Sequence, residues 1–250
     1  MDDHHLTGDT VIVVPCYNES RRLDRRAFLE YVAGHQGVRF LFVDDGSTDS
    51  TAAVLEELCG QAPASLRMLR LERNSGKAEA VRRGVLAAIT GHPRYVAYWD
   101  ADLSTPLDAV ASFIAALDEN PQLLAVLGSR VRRLGADVDR RPLRHYAGRI
   151  FATLASLALG LSVYDTQCGA KMFRAVDPVP GLFEKPFLSR WIFDVEVLAR
   201  LQVAVAPQSA APRLSELPLR RWHDVAGSKL TMGTGIAAFG DLWRIYRCYR

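Results

Sequence analysis

Between residues 10 and 130 short apolar runs alternate with segments of helical spacing, and no other feature restricts the fold of this chain as strongly. Residues 10–15, 40–43, 67–71, 95–99 and 123–127 read as strands, rich in valine, leucine and aromatic residues. Between them, 22–34 carries helical spacing at Leu23, Phe28, Leu29 and Val32, and 51–58 is a second helix. Residues 76–89 form an alanine-rich third, and 106–117 a fourth with proline in its first turn. Strands that alternate with helices predict a mostly parallel sheet with helices on both faces. Ligands of such sheets bind beyond the carboxyl ends of the strands. Three polar clusters fall there: Pro15 to Glu19, the Asp44-Asp45 turn, and Asp100-Ala101-Asp102. They are far apart in sequence and are expected on one rim.

Asp100 and Asp102 follow the apolar run Tyr95-Val96-Ala97-Tyr98-Trp99. Residues two apart on extended backbone point to one side, so the two carboxylates can converge. Two hard oxygen donors suit Mg²⁺ or Mn²⁺, ions commonly completed by substrate phosphates. A solvated aspartate pair in a turn has the same pattern; the other two clusters favour the site.

After residue 130 the alternation stops. Arg130, Arg132, Arg133, Arg140, Arg141, Arg144 and Arg149 are opposed only by Asp137 and Asp139, which suggests an anionic partner such as a phosphate or a lipid headgroup. A helix at 146–161 is apolar around much of its circumference and suits either the core or contact with a membrane. An amphipathic helix at 191–201, a strand at 214–219 and a helix at 232–249 complete a helical extension. The 250 residues fit one large α/β domain spanning 1–250.

A hydrophobic fraction of 49% supplies a core, and a net charge of +3 argues against a nucleic-acid partner. Cys16, Cys59, Cys168 and Cys248 have no paired spacing, which fits free thiols in a reducing compartment. The polar N-terminus has no signal-peptide pattern. The longest apolar run, 150–163, falls short of the roughly 18–20 residues of a spanning helix. The expected location is cytoplasmic, soluble or peripheral on the cytoplasmic face of a membrane.

Val-Val-Pro-Cys-Tyr-Asn-Glu, Val-Asp-Asp-Gly-Ser-Thr-Asp and Asp-Ala-Asp occur in that order after successive strands. With Asn74-Ser75-Gly76-Lys77-Ala78 and Gly128-Ser129-Arg130 the set resembles the family-2 inverting glycosyltransferases of GT-A fold. The motifs at 165–171 (Asp-Thr-Gln-Cys-Gly-Ala-Lys), 191–196 and 221–229 resemble the dolichyl-phosphate glucosyltransferase and polyprenyl-phosphate glycosyltransferase branch.

The resemblance implies a UDP-sugar donor and a polyprenyl phosphate acceptor, with a nucleotide-sugar-binding half at 10–130, an acceptor-side half at 131–250 and a prenyl chain as one candidate contact of the 146–161 helix. Asp100 and Asp102 would hold the metal and the donor phosphates, with Ala101 between them. Pro15, Tyr17 and Glu19 would form the nucleotide pocket, and Lys77 would lie on the same side. Asp45 would accept a hydrogen bond from the uracil imide, although Asp44 and Asp45 also suit helix caps. His223, Ser228 and Lys229 lie on a glycine-containing loop able to fold over a diphosphate. Arg130 and Arg144 are candidates for the acceptor phosphate, because guanidinium forks match phosphate oxygens. Asp165, Asp194 and Glu196 are the carboxylates open to a general-base role, Asp165 and Asp194 being the catalytic candidates. Two apart on a helix, Asp194 and Glu196 do not share a face, and at most one is expected to point inward. A soluble hydroxyl acceptor, such as a secondary metabolite, is the alternative with the same donor chemistry, and a non-catalytic nucleotide-sugar-binding protein is the third reading.

Overall fold

The computed structural model describes residues 9–139, 142–225 and 232–249. Along the chain run β1 (Thr10–Cys16), α1 (Arg25–Gly34), β2 (Val38–Asp44), α2 (Thr51–Gln61), β3 (Leu66–Arg70), α3 (Lys77–Ile89) and β4 (Tyr95–Trp99). Then come α4 (Ala109–Glu119), β5 (Ala125–Ser129), β6 (Asp137–Asp139), α5 (Pro142–Leu159), β7 (Ala170–Arg174), α6 (Gly181–Glu184) and α7 (Phe193–Val205). Last are α8 (Pro207–Ala210), a 3-10 turn at Ala211–Arg213, β8 (Leu214–Pro218), β9 (Arg221–His223) and α9 (Met232–Tyr249). The chain forms two compact units. The first holds residues up to Leu103 together with Ala170–Pro186, and the second holds Ser104–Gly169 and Phe187–Arg250. A division at residue 130 does not follow these units, because β7 returns to the first.

In the first unit the strand order is β3-β2-β1-β4-β7. The first four strands are parallel, as the alternation predicts, with Thr10 beside Val38 and Tyr95. β7 runs antiparallel to β4, Trp99 facing Ala170. It was not legible as a strand because a lysine sits inside it; Lys171 is buried over the Tyr98 ring, 5.4 Å from its centroid. Phe28 of α1 meets Phe40 and Phe42 of β2 edge-on at 5.1 and 4.9 Å. Each such fully buried ring contributes about 1.5–3 kcal/mol. Helix α3 lies so close to the sheet that a Cβ at Gly84 would collide with Val13 and with Val43, which fixes how near the α3 N-terminus comes to the strand ends.

Local capping sets the helix starts. Asp24 accepts the Ala27 amide at 3.0 Å, so α1 begins at Arg25 and not at 22. Residues 106–108 form a turn, and α4 begins at Ala109.

In the second unit β5 pairs in parallel with β8, and β6 with β9. Helix α7 packs with α5, α8 and α9. Its residues Phe193 to Leu201 are all buried, which corrects the amphipathic expectation: the helix is surrounded. Among the described residues no helix is long and apolar enough to cross a membrane.

Candidate active site

The first unit brings its loops together beyond the strand ends. After β1 the chain turns at Asn18, whose φ is 53°. The Asn18 side-chain oxygen accepts the Thr48 amide at 2.9 Å, and its backbone amide donates to the Ser47 hydroxyl at 3.0 Å. Ser20 donates to Asp49 at 2.6 Å, and the Glu19 amide donates to Thr51 at 2.8 Å. The loops after β1 and β2 are thus laced side to side. Burial alone would raise the Asp49 carboxyl, but hydrogen bonds from Ser20 and Thr51 win and hold it at about 2.

Asp45 ties in a third loop. Its two carboxylate oxygens accept the amides of Ser75 at 2.7 Å and Gly76 at 2.8 Å. It is buried, and both its oxygens engage the backbone just before α3. Gly46, at φ 62°, makes this approach possible: a Cβ there would strike the backbone of Arg73 and Asn74. Asp44 accepts the Ser47 amide at 3.1 Å and lies 3.6 Å from Arg70.

Asp100 follows β4, and Asp102 lies two residues on. The Lys77 ammonium, at the first position of α3, is 2.5 Å from Asp100. Arg22 forks onto Glu19 at 2.9 and 2.6 Å. These hydrogen bonds raise the Arg22 guanidinium against the cost of burial, and the charges of Glu19 and Asp102 add to the effect. Asp100 therefore faces the start of α3 and Asp102 the loop after β1. Pro15 lies at the end of β1, Lys77 opens α3, and Tyr17, Glu19, Asp45, Asp100, Ala101 and Asp102 lie on the loops that follow β1, β2 and β4. Arg22 was missed from sequence; the i, i+3 spacing from Glu19 was its one visible signal.

Asp100 and Asp102 are part-exposed and offer hard oxygens. No group of three His, Cys, Asp or Glu is gathered for a metal among the described residues. A two-carboxylate site suits an oxygen-seeking divalent ion that phosphates and water complete.

The second unit holds a different cluster. Arg130 forks onto Asp165, Nε to Oδ2 at 2.6 Å and Nη2 to Oδ1 at 2.8 Å, and its backbone amide donates to Oδ2 at 3.1 Å. The guanidinium also lies over the Trp222 ring at 5.3 Å. Glu216 of β8 accepts the amides of Tyr164 and Asp165, both at 2.8 Å; sequence reasoning missed it, and nothing local marks it. The expected acceptor-phosphate arginine and the expected catalytic carboxylate are thus partners of each other.

Asp194 and Glu196 are both buried. This corrects the expectation that at most one points inward, since the first turns of α7 are enclosed on all sides. Glu196 accepts Arg200 Nη2 at 2.8 Å, the Tyr249 hydroxyl at 2.9 Å and the Leu188 amide at 2.7 Å. His223 stands on β9, 3.3 Å from Asp137, beside an open cavity of about 820 Å³ that Arg132 and Arg133 also line. Ser228 and Lys229 lie outside the described residues, and so does the side chain of Arg144, which belongs to α5.

A mainly parallel sheet with carboxylates and basic residues at its strand ends is the architecture of the GT-A nucleotide-sugar transferases. The solved structures bear this out. The crystal structure of glucosyl-3-phosphoglycerate synthase from Mycobacterium tuberculosis in complex with UDP superposes with a TM-score of 0.67 at 16% identity, covering 97% of this chain and 82% of that one. The complex of that synthase with Mn²⁺, UDP-glucose and phosphoglyceric acid gives 0.65 at 16% identity, covering 97% and 81%.

The glycosyl transferase family 2 model matches residues 11–177. A dolichyl-phosphate beta-glucosyltransferase of Trichomonas vaginalis is 32% identical over 96% of this chain and 72% of its own length. Those of Dictyostelium discoideum and Saccharomyces cerevisiae are 30% and 29% identical, over 94% and 88% of this chain and 72% and 69% of theirs. The chain belongs to glycosyl transferase family 2 and is a glycosyltransferase.

Proposed function

We propose that the chain transfers a hexose, glucose before others, from a UDP-sugar to a polyprenyl or dolichyl phosphate, with Mg²⁺ or Mn²⁺ held by Asp100 and Asp102. The observation that carries this is the meeting of Lys77, Arg22, Asp100 and Asp102 on loops that Asp45 and Asn18 lace together. The names of the relatives support the acceptor, and the synthase complexes support the donor class and the ion.

When bound, the ion supplies Lewis-acid stabilisation of the leaving diphosphate. The chain supplies the rest. Lys77 offers a cation beside Asp100, and Arg22 adds a second positive charge near Asp102. Pro15, Tyr17 and Glu19 form the nucleotide wall. Asp45 holds the loop before α3, and we assign it to the base end of the nucleotide. We assign His223, Ser228 and Lys229 to the diphosphate as well.

On the acceptor side Arg130 and Arg144 serve the phosphate. A phosphate acceptor is largely ionised near neutral pH and needs no strong general base, whereas a hydroxyl acceptor does. Asp165 and Glu196 are buried and engaged by arginines, a poor state for a proton acceptor. That favours the phosphate over a hydroxyl. The reaction on this reading needs no strong general base, and Asp165 acts by fixing Arg130.

A transfer assay tests the proposal. UDP-glucose with a prenyl phosphate should give the lipid-linked sugar, and a panel of free hydroxyl acceptors should not. Product with hydroxyl acceptors alone would overturn the acceptor assignment.

A further inference from the structure

Two helices of the second unit carry large apolar side chains that the fold leaves uncovered. On α5 they are Ile150, Leu154 and Leu157; on α9 they are Phe239, Trp243 and Tyr246, with Leu157 69% and Trp243 60% exposed. In each set the spacing is four then three, so each forms a stripe along one helix face. The other faces hold Ala152, Ala155 and Leu159 on α5, and Ala238, Leu242 and Ile245 on α9, all buried. The core is therefore complete without the outer stripes. Phe151 meets Phe239 at 6.1 Å, which joins the two helices where Ile150 and Phe239 emerge.

The net charge on these helices is positive. Helix α5 contains no acidic residue along its length. The one acid of α9, Asp241, accepts the Ser189 hydroxyl at 2.7 Å and Arg244 at 3.3 Å. Arg247 lies over the Trp243 ring at 5.0 Å, and Arg244 and Arg247 are both exposed. Tryptophan and tyrosine are favoured at the headgroup level of a bilayer, with arginine reaching the lipid phosphates. Exposed apolar stripes flanked by cations and lacking free acids match an anionic lipid surface. A second copy of this chain fits less well, because a symmetric pairing would set arginines against arginines.

We propose that the α5–α9 face docks the protein on an anionic bilayer, with Trp243 and Phe239 entering the headgroup region and Arg244 and Arg247 on the lipid phosphates. This rests on the reading of a lipid-borne acceptor, which a docked enzyme would meet in the plane of the membrane, and the experiment keeps the two apart.

The full chain is sedimented with vesicles of phosphatidylcholine alone or mixed with phosphatidylglycerol, and tryptophan emission is followed with brominated lipid. Binding should need the anionic lipid, weaken with salt, and quench emission. The pair Phe239→Ser and Trp243→Ser should weaken binding by at least about tenfold. The pair Arg244→Glu and Arg247→Glu, which leaves the apolar groups in place, should abolish the preference for anionic lipid. Transfer to a short, water-soluble prenyl phosphate should be the same for all variants. Absence of vesicle binding by the unaltered chain would overturn docking, and so would undiminished binding by both pairs. A concentration-dependent dimer broken by the serine pair would overturn it too, assigning the face to a second copy. Vesicle binding without transfer to any prenyl phosphate would instead overturn the acceptor reading alone.

Discussion

The carboxylates after β4 and those of the second unit are the same chemical group in opposite circumstances. Asp100 meets Lys77 with side chains 35% and 27% exposed, and Asp102 feels the charge of Arg22. Asp165 and Glu196, with side chains 7% and 0% exposed, accept arginine forks and backbone amides together. Exposed carboxylates beside a flexible lysine can exchange that partner for a cation. Buried carboxylates gripped from several sides cannot change partners without leaving an arginine unpaired. The number of partners and the access to solvent separate a ligand-holding acid from a structural one; residue type does not.

Four substitutions would break or sharpen this contrast. The largest effect is on turnover: Asp102→Ala should lower kcat/KM for sugar transfer by roughly 10²–10³, the scale of losing a major charge-stabilising group. Its melting midpoint should stay within about 2 °C, as for a surface change. Next is Asp165→Ala, which strands the Arg130 guanidinium, 15% exposed. That should cost about 3–5 kcal/mol in a urea titration. If Asp165→Ala proved as stable as the unaltered chain, the contrast would fail on its structural side.

A smaller loss of about 1–3 kcal/mol is expected for Gly84→Val, which forces α3 away from Val13 and Val43. The affinity for UDP should weaken with it, because Lys77 moves with the helix. The smallest effect is that of Asp49→Asn. The folded carboxyl titrates at about 2, below its ordinary 3.8. Its contribution is therefore complete above about pH 4 and is lost as pH falls toward 2. The melting difference between Asp49→Asn and the unaltered chain should be about 1–2 °C at neutral pH and should vanish near pH 2.

How far the sequence reveals these features depends on where their causes lie. β1, β2 and β4 were legible because each carries a continuous apolar run. β7 was not, because Lys171 interrupts Ala170 to Arg174, and its burial over Tyr98 is a tertiary fact. β6 and β9 carry a single apolar residue each, Val138 and Trp222, too little for a period. The placement of Asp100, Asp102 and Lys77 at a strand end and a helix start was legible, and such ends are where ligands meet a sheet of this kind. The partners of Asp45 and Arg130 were not legible. Their partners, Ser75 and Gly76 for one and Asp165 for the other, are 30 or more residues away, and no local pattern encodes such a pairing.

The claim at the centre is that Asp100 and Asp102 hold a divalent ion with the donor diphosphate, and calorimetric titration of UDP with and without Mn²⁺ tests it most directly. For the unaltered chain, Mn²⁺ should tighten UDP binding by at least about tenfold, a gain of about 1.4 kcal/mol, and Asp100→Ala with Asp102→Ala should remove that gain while the fold persists. Equal UDP affinity with and without Mn²⁺, or a gain that survives the double substitution, would contradict it.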